Sequence, residues 1–261
     1  MNHILMVVNP EKPEAAKVAA AFAVSCASAG LTVSESVTSP DVVVAIGGDG
    51  TVLGAAAQAI AMDVPVAGIN VGRVGYLAEF EPTDIGALID AIVDDRFHVL
   101  RRGTVGVAVG DVSGFGVNDV VVEKVMSERI IEVAVTVDGE PLATYRTDGM
   151  IAATPLGSTA YSLSAGGPIV SPEVGALILT PVAPHSLLSR AIVLAPTATI
   201  EIALVGERSA AINIDGHQLT TVTADDPPIV ISKGEKDVRF LSLGDHPFPH
   251  AVREQFGLDH A

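Results

Sequence analysis

Apolar residues gather in short unbroken runs over the first hundred positions. Ile4–Val8, Val42–Ile46 and Val64–Ile69 are each continuous, the pattern of parallel strands covered on both faces. Between them lie longer Ala-rich stretches. One follows Asn9-Pro10 and runs to Gly30, a C-terminal helix stop; a second begins near Thr51, after Gly47-Gly48-Asp49-Gly50. A third starts at Thr83-Asp84 and runs towards Asp95. Strand–helix–strand repetition predicts an open parallel sheet.

Past His98 the pattern shortens. Val105–Val109, Gly116–Val122, Ile130–Asp138 and Leu142–Thr144 are strand-like runs broken by Gly, Pro and Asp. Further runs follow at Gly149–Thr154, Ala176–Thr180, Ala191–Leu194, Thr199–Leu204, Ala210–Ile214 and Ile229–Ser232. Asp138-Gly139 and Asp215-Gly216 are hairpin turn pairs. One helix is expected near Thr159–Ser164 and another over Pro247–Gly257. The predicted fold is therefore α/β plus all-β. A Rossmann-like open parallel sheet fills residues 1–97, a β-sandwich-like domain residues 98–240, and a tail of 241–261 packs back on the first domain.

Composition narrows the function. Thirty-one acidic side chains stand against 15 basic ones, a formal charge of −16, which excludes a phosphate-backbone nucleic-acid binder. The single Cys26 rules out an internal disulfide or a Cys-rich zinc site. Val18–Val33, the longest apolar stretch, is interrupted by Ser25, Ser28 and Gly30 and is too short for a bilayer. Met1-Asn2-His3-Ile4 carries no basic leader, so a cytoplasmic protein with no membrane partner is expected. An acidic surface with only five Lys also suits solubility in high salt.

Candidate chemistry starts at Gly47-Gly48-Asp49-Gly50-Thr51. Glycines at a strand-to-helix turn allow positive φ and close ligand approach, and free N–H groups at the following helix start favour phosphate. Asp49 would repel that phosphate unless it works beside it, as base for a hydroxyl nucleophile or through Mg²⁺. The plainer alternative makes Asp49 a helix cap. Gly54 arrives one residue late for a dinucleotide G-x-G-x-x-G turn.

The second cluster runs from Asp148-Gly149 through Thr154 to Pro168. Ser158, Thr159 and Ser164 can donate to phosphate or ribose, and Tyr161 offers a stacking face. Asn118-Asp119 can grip a hydroxyl pair, or can simply be turn residues, and Asp215-Gly216 has the same ambiguity. His246 and His250 are separated by prolines and share no helical face, and His185 suits a buried structural hydrogen bond.

In this order the motifs resemble the NAD kinase family: Gly47–Thr51, Gly68–Asn70 to Gly75–Leu77, Asn118-Asp119, Asp148-Gly149, Thr154–Pro168, Pro184–Leu187 and Asp215-Gly216. The Gly47–Thr51 block is shared with diacylglycerol, sphingosine and phosphofructokinase relatives, whereas Gly157–Pro168 is specific to NAD kinases. The resemblance implies phosphoryl transfer from ATP, or from inorganic polyphosphate, to the 2′-hydroxyl of the adenosine ribose of NAD. It implies Mg²⁺ carried by nucleotide phosphates without direct protein ligands, and a homodimer or homotetramer.

On this resemblance Asp49 is the general base, and Gly47, Gly48 and Thr51 hold phosphate. NAD would meet Gly50, Tyr76, Asn118, Asp119, Arg146, Asp148, Thr159, Ala160, Tyr161, Ser164 and Asp215, the last in a late strand. Departures occur at Asp119, where most members have Glu; at Gly54, where bacterial members often have Arg; at Thr147; and at Ala191. Two other readings stay open: a dinucleotide-binding regulator that has lost transfer, and a lipid or sugar kinase of the same superfamily.

Overall fold

The computed structural model describes residues 1–72, 75–125, 129–244 and 248–258. Arg73 and Val74 of the turn after Asn70, together with His246 and Pro247 near the terminal helix, lie outside the described residues. The chain divides into two compact units, Met1–Arg102 with Asp237–Ala261, and Gly103–Lys236.

In the first unit the chain runs β1 (His3–Val8), α1 (Pro13–Ser28), β2 (Thr32–Ser34), β3 (Val42–Gly47), α2 (Asp49–Met62), β4 (Val66–Asn70), α3 (Ile85–Asp94) and β5 (His98–Arg102). The second unit carries β6 (Val105–Val109), β7 (Val112–Gly116), β8 (Asp119–Lys124), β9 (Ile131–Val137), β10 (Glu140–Thr147), β11 (Gly149–Ala153), α4 (Tyr161–Ser164), β12 (Leu177–Val182), β13 (Ile192–Leu194), β14 (Ile200–Val205), β15 (Ala210–Ile214), β16 (His217–Val222) and β17 (Ile229–Lys233). The chain then re-enters the first unit through β18 (Val238–Ser242) and α5 (Phe248–Phe256).

The first sheet has the order β2-β1-β3-β4-β18-β5. Its first four strands are parallel, β18 is parallel to β4, and β5 is antiparallel to β18. The open parallel sheet expected from the apolar runs is thus present, extended at one edge by the single antiparallel strand β5. β3 and β4 are buried at every position, because helices cover both faces. α1 begins on Pro13 and ends in a Schellman turn, with Leu31 N–H on Cys26 O at 2.9 Å and Gly30 at φ +77°. The domain boundaries fall at 102/103 and 236/237, a few residues from 97/98 and 240/241, because β5 and β18 pair with each other in this sheet.

Two antiparallel six-stranded sheets make the second unit, β10-β9-β14-β17-β6-β7 and β13-β12-β11-β8-β15-β16. Alternate residues of both, among them Val107, Val122, Val133, Met150, Leu179 and Ile202, form one core, as in a sandwich. Asp138-Gly139 turns β9 into β10 with φ +51° and +80°, the two-residue hairpin expected from the pair. The middle strands of the second sheet are also buried on their outer face. There Val121, Ile151, Ala153 and Ile178 pack with Ala165 and Val170, so the segment after β11 covers them. That covering segment carries the candidate site.

Candidate functional site

The Gly-rich turn joins β3 to α2. Gly48 caps the helix in an extended conformation, and no side chain caps it. Asp49 is the first helical residue, two positions earlier than the pattern predicts, and it is not the cap. None of Gly47, Gly48 or Gly50 takes positive φ, contrary to expectation. Crowding explains Gly47, since a Cβ there would lie 2.4 Å from Thr51 Oγ1. A Cβ on Gly50 would meet nothing within 4 Å, so its absence leaves the helix start open to an anion.

The Asp49 carboxylate reaches across to the segment after β4. Oδ2 accepts the N–H of Tyr76 at 2.9 Å and Oδ1 that of Leu77 at 3.1 Å. Two N–H donors fix the plane of the carboxylate while leaving it further lone pairs. Among the described residues the buried Tyr76 hydroxyl has no hydrogen-bond partner, and its pKa is pushed up by burial and then by the charge of Asp49. Asn70 Oδ1, at the end of β4 opposite Gly47, is likewise buried and unpaired.

In the second unit Asp215 occupies the β15–β16 turn at φ +49°, not a strand. Its carboxylate accepts the N–H groups of Val117 (2.7 Å), Asn118 (2.8 Å) and Asp119 (3.1 Å). Asp215 therefore shapes the Asn118-Asp119 corner. From the other side Thr154 donates its hydroxyl to Val117 O at 2.7 Å and its N–H to Asn118 O at 2.8 Å. A Cβ on Gly157 would sit 2.1 Å from Asn118 O. Held this way, Asn118 Oδ1 has no partner among the described residues, which suits a ligand donor.

Asp119 is buried, and its pKa is raised to about 7, first by desolvation and then by the charge of Asp215. The Asp215 carboxyl is also shifted up, because burial outweighs its three N–H donors.

The small and hydroxyl residues of Leu156–Pro168 divide by burial. Ser158 Oγ is used within the loop, donating to Val170 O at 3.2 Å and accepting Val170 N–H at 3.0 Å, so it is not available to a ligand, contrary to the expectation that it donates to phosphate or ribose. Ser162 Oγ pairs with Thr180 Oγ1 at 2.9 Å in the interior. Thr159 and Ala160 are half-buried, and Tyr161 and Ser164 are exposed. The Tyr161 phenol is shifted up by partial burial, then by the charges of Glu123, Asp148 and Asp119. Lys124 Nζ meets Asp148 Oδ1 at 2.6 Å, and Asn213 donates to Glu123 Oε1 at 2.7 Å. The Arg146 side chain is exposed, and its backbone bonds the His185 N–H at 2.7 Å and Ser186 Oγ at 3.1 Å. His185 itself is exposed and acts through its main chain, not through a buried side-chain bond.

Residues 29–97 match the ATP-NAD kinase N-terminal domain, and residues 117–243 the ATP-NAD kinase C-terminal domain. A NAD kinase of Heliobacterium modesticaldum is 35% identical over 96% of this chain and 96% of its own. The chain belongs to the NAD kinase family. An Archaeoglobus fulgidus NAD kinase solved with ATP has a TM-score of 0.78 at 27% identity, over 98% of both chains. Yeast NADH kinase solved with NADH shares the fold, with a TM-score of 0.89 at 23% identity over 100% of this chain and 89% of that one.

This NAD kinase family member places Glu123, Lys124 and Asn213 beside the expected residues, and the motifs did not point to them. Strand alternation is the one sequence feature that puts Glu123 on the face of Asp119. Lys12 belongs to no motif, and no local pattern ties it to the Gly-rich turn.

Proposed function

We infer that the protein transfers the γ-phosphoryl group of ATP to the 2′-hydroxyl of the adenosine ribose of NAD, giving NADP and ADP. The observation that carries this reading is the Asp49 carboxylate, oriented by Tyr76 and Leu77 N–H at an uncapped helix start. As the ribose oxygen bonds to the γ-phosphorus and the bond to the ADP oxygen breaks, the hydroxyl proton passes to Asp49. The open N–H groups of α2 take phosphate charge. Asn118 and Asp119 hold ribose hydroxyls, with Asp215 and Thr154 fixing their positions. Thr159, Ala160, Tyr161 and Ser164 receive the adenine and ribose side, and Arg146 and Asp148 the nicotinamide end.

Mg²⁺ supplies charge neutralisation on the donor phosphates when bound. The turn offers one carboxylate, Asp49, which fits an ion held chiefly by phosphate oxygens rather than by a protein cage. We place the reaction in the cytoplasm, where NAD and ATP are available. Among the described residues no helix is long and apolar enough to cross a membrane.

The protein works as a homodimer or homotetramer, as its resemblance to the family implies. The deciding experiment is NADP formation from NAD, ATP and Mg²⁺ by the purified chain, at low and at molar salt, beside its mass in solution. No product at either salt, with NAD still raising the melting temperature, would favour a dinucleotide-binding regulator.

A further inference from the structure

A cation reaches the Gly-rich turn from the preceding strand–helix connection of the first unit. Lys12 is the N-cap residue of α1, directly after β1 and Asn9-Pro10-Glu11. Its half-buried side chain donates from Nζ to Val71 O at 2.8 Å. The same Nζ lies 3.5 Å from where a Cβ on Gly48 would stand and 3.2 Å from that of Gly72. The ammonium is thus lodged between the residue that caps α2 and the loop leaving β4, and a side chain at position 72 would crowd it.

Among the described residues no carboxylate pairs with Lys12, although the chain carries 31 acidic side chains. One of its three N–H donors is used by Val71, and among the described residues two are left. A partly buried ammonium without a counter-ion, beside an uncapped helix start, has the surroundings of an anion ligand. The first turn of α2 has no basic side chain of its own, since its residues are Asp49, Gly50, Thr51 and Val52. A chain at −16 that accepts a polyphosphate needs such a charge at that point.

We propose that Lys12 binds the polyphosphate chain of the phosphoryl donor, acting with the N–H groups at the start of α2. This rests on the phosphotransfer reading above and names the donor-side cation it lacks. The recognised chemistry is the phosphate chain, shared by ATP and by inorganic polyphosphate. An ammonium bonded in this way selects for charge density and reads no base or sugar.

The test compares wild type, Lys12→Gln and Lys12→Arg in two measurements. Calorimetric titration with inorganic tripolyphosphate and with Mg-ATP, without NAD, needs no turnover. Steady-state kinetics then separate the KM for ATP from that for NAD. Lys12→Gln is expected to weaken both titrants about tenfold, to raise the KM for ATP alike, and to leave the KM for NAD within about twofold. Lys12→Arg should recover most of the loss. If both titrants weaken in Lys12→Gln and only tripolyphosphate binding recovers in Lys12→Arg, polyphosphate is the better-fitting donor; recovery of ATP binding alone favours ATP, and both support the charge contact.

Unchanged tripolyphosphate affinity in Lys12→Gln overturns the proposal, as does a wild type that binds no tripolyphosphate. Equal losses for ATP and NAD in both variants also overturn it, since Lys12 would then only brace the loop through Val71. Because tripolyphosphate binding is read without catalysis, a wild type that makes no NADP would defeat the kinase reading and still leave Lys12 decided.

Discussion

Gly75 stands so close to Asp49 that a Cβ on it would lie 2.1 Å from Oδ1. The bare backbone at 75 is what allows the next two N–H groups to reach the carboxylate. Gly75→Ala should displace Asp49 from both donors and lower kcat at least about tenfold, with the helix content unchanged by circular dichroism. Wild-type kcat in this variant would show that the orientation of Asp49 does not matter to turnover.

Asp49→Asn keeps the shape and removes the basic oxygen. The expected loss in kcat is roughly 10²- to 10⁴-fold, the usual contribution of a positioned base. Calorimetric NAD affinity should change little. Normal turnover would remove Asp49 from the role of proton acceptor.

Asp215 satisfies three backbone N–H groups at Val117, Asn118 and Asp119. Asp215→Ala strands them, at about 1–3 kcal/mol for each donor left dry. Urea unfolding should show a loss of several kcal/mol, smaller for Asp215→Asn, which retains one acceptor oxygen. The KM for NAD should rise in both. Wild-type stability for Asp215→Ala would mean that water replaces the carboxylate fully.

Asp119, with a pKa raised from 3.8 to about 7, binds its proton more tightly in the folded chain than in the unfolded one. Its contribution to stability is therefore greatest below pH 3.8 and is lost as pH rises towards and past 7. The slope approaches about 1.4 kcal/mol per pH unit within that window. Asp119→Asn should flatten this part of the profile, so its stability relative to wild type improves from pH 5 to pH 8. Parallel profiles for the two proteins would contradict the raised value. NAD binding should depend on pH over the same window, because the protonated carboxyl donates where the carboxylate accepts.

Ser162 and Tyr161 are chain neighbours with opposite environments. Ser162→Ala breaks a buried pair with Thr180 and should cost about 1 kcal/mol with an unchanged KM for NAD. Tyr161→Ala should raise that KM several-fold and leave the melting temperature within a few degrees. A reversed pattern would exchange their roles.

The strands that the sequence hides share a position. β2 and β5 close the edges of the first sheet, and β7 and β16 are edges of the two others. An edge strand is solvated along one side, so His98–Arg102 and His217–Val222 carry polar residues and lack a clear apolar run. The inner strands β1, β3, β6, β11 and β15 are legible because two-sided or alternating burial dictates their residues. β18 is different: it is apolar, but nothing local says that it pairs with strands about 140 to 170 residues away.

At the candidate site the residue types were legible and several of their tasks were not. Asp49 and Asn118-Asp119 stand at turns that Gly and Asp announce. That Asp215 faces inward to three N–H groups, or that Ser158 is consumed by Val170, depends on contacts distant along the chain. Lys12 and Gly48 are 36 positions apart, and only the parallel pairing of β1 with β3 brings their turns to the same sheet end.

The return of the chain through β18 orders events at the ribosome. β5 emerges early, yet the strand it pairs with lies beyond the whole second unit. During synthesis the half of the chain that starts first must wait with an open sheet edge, while the unit encoded in the middle can already close upon itself. The first unit to emerge is thus the last to be completed, and a message truncated near codon 236 would yield a finished sandwich tethered to an unfinished sheet.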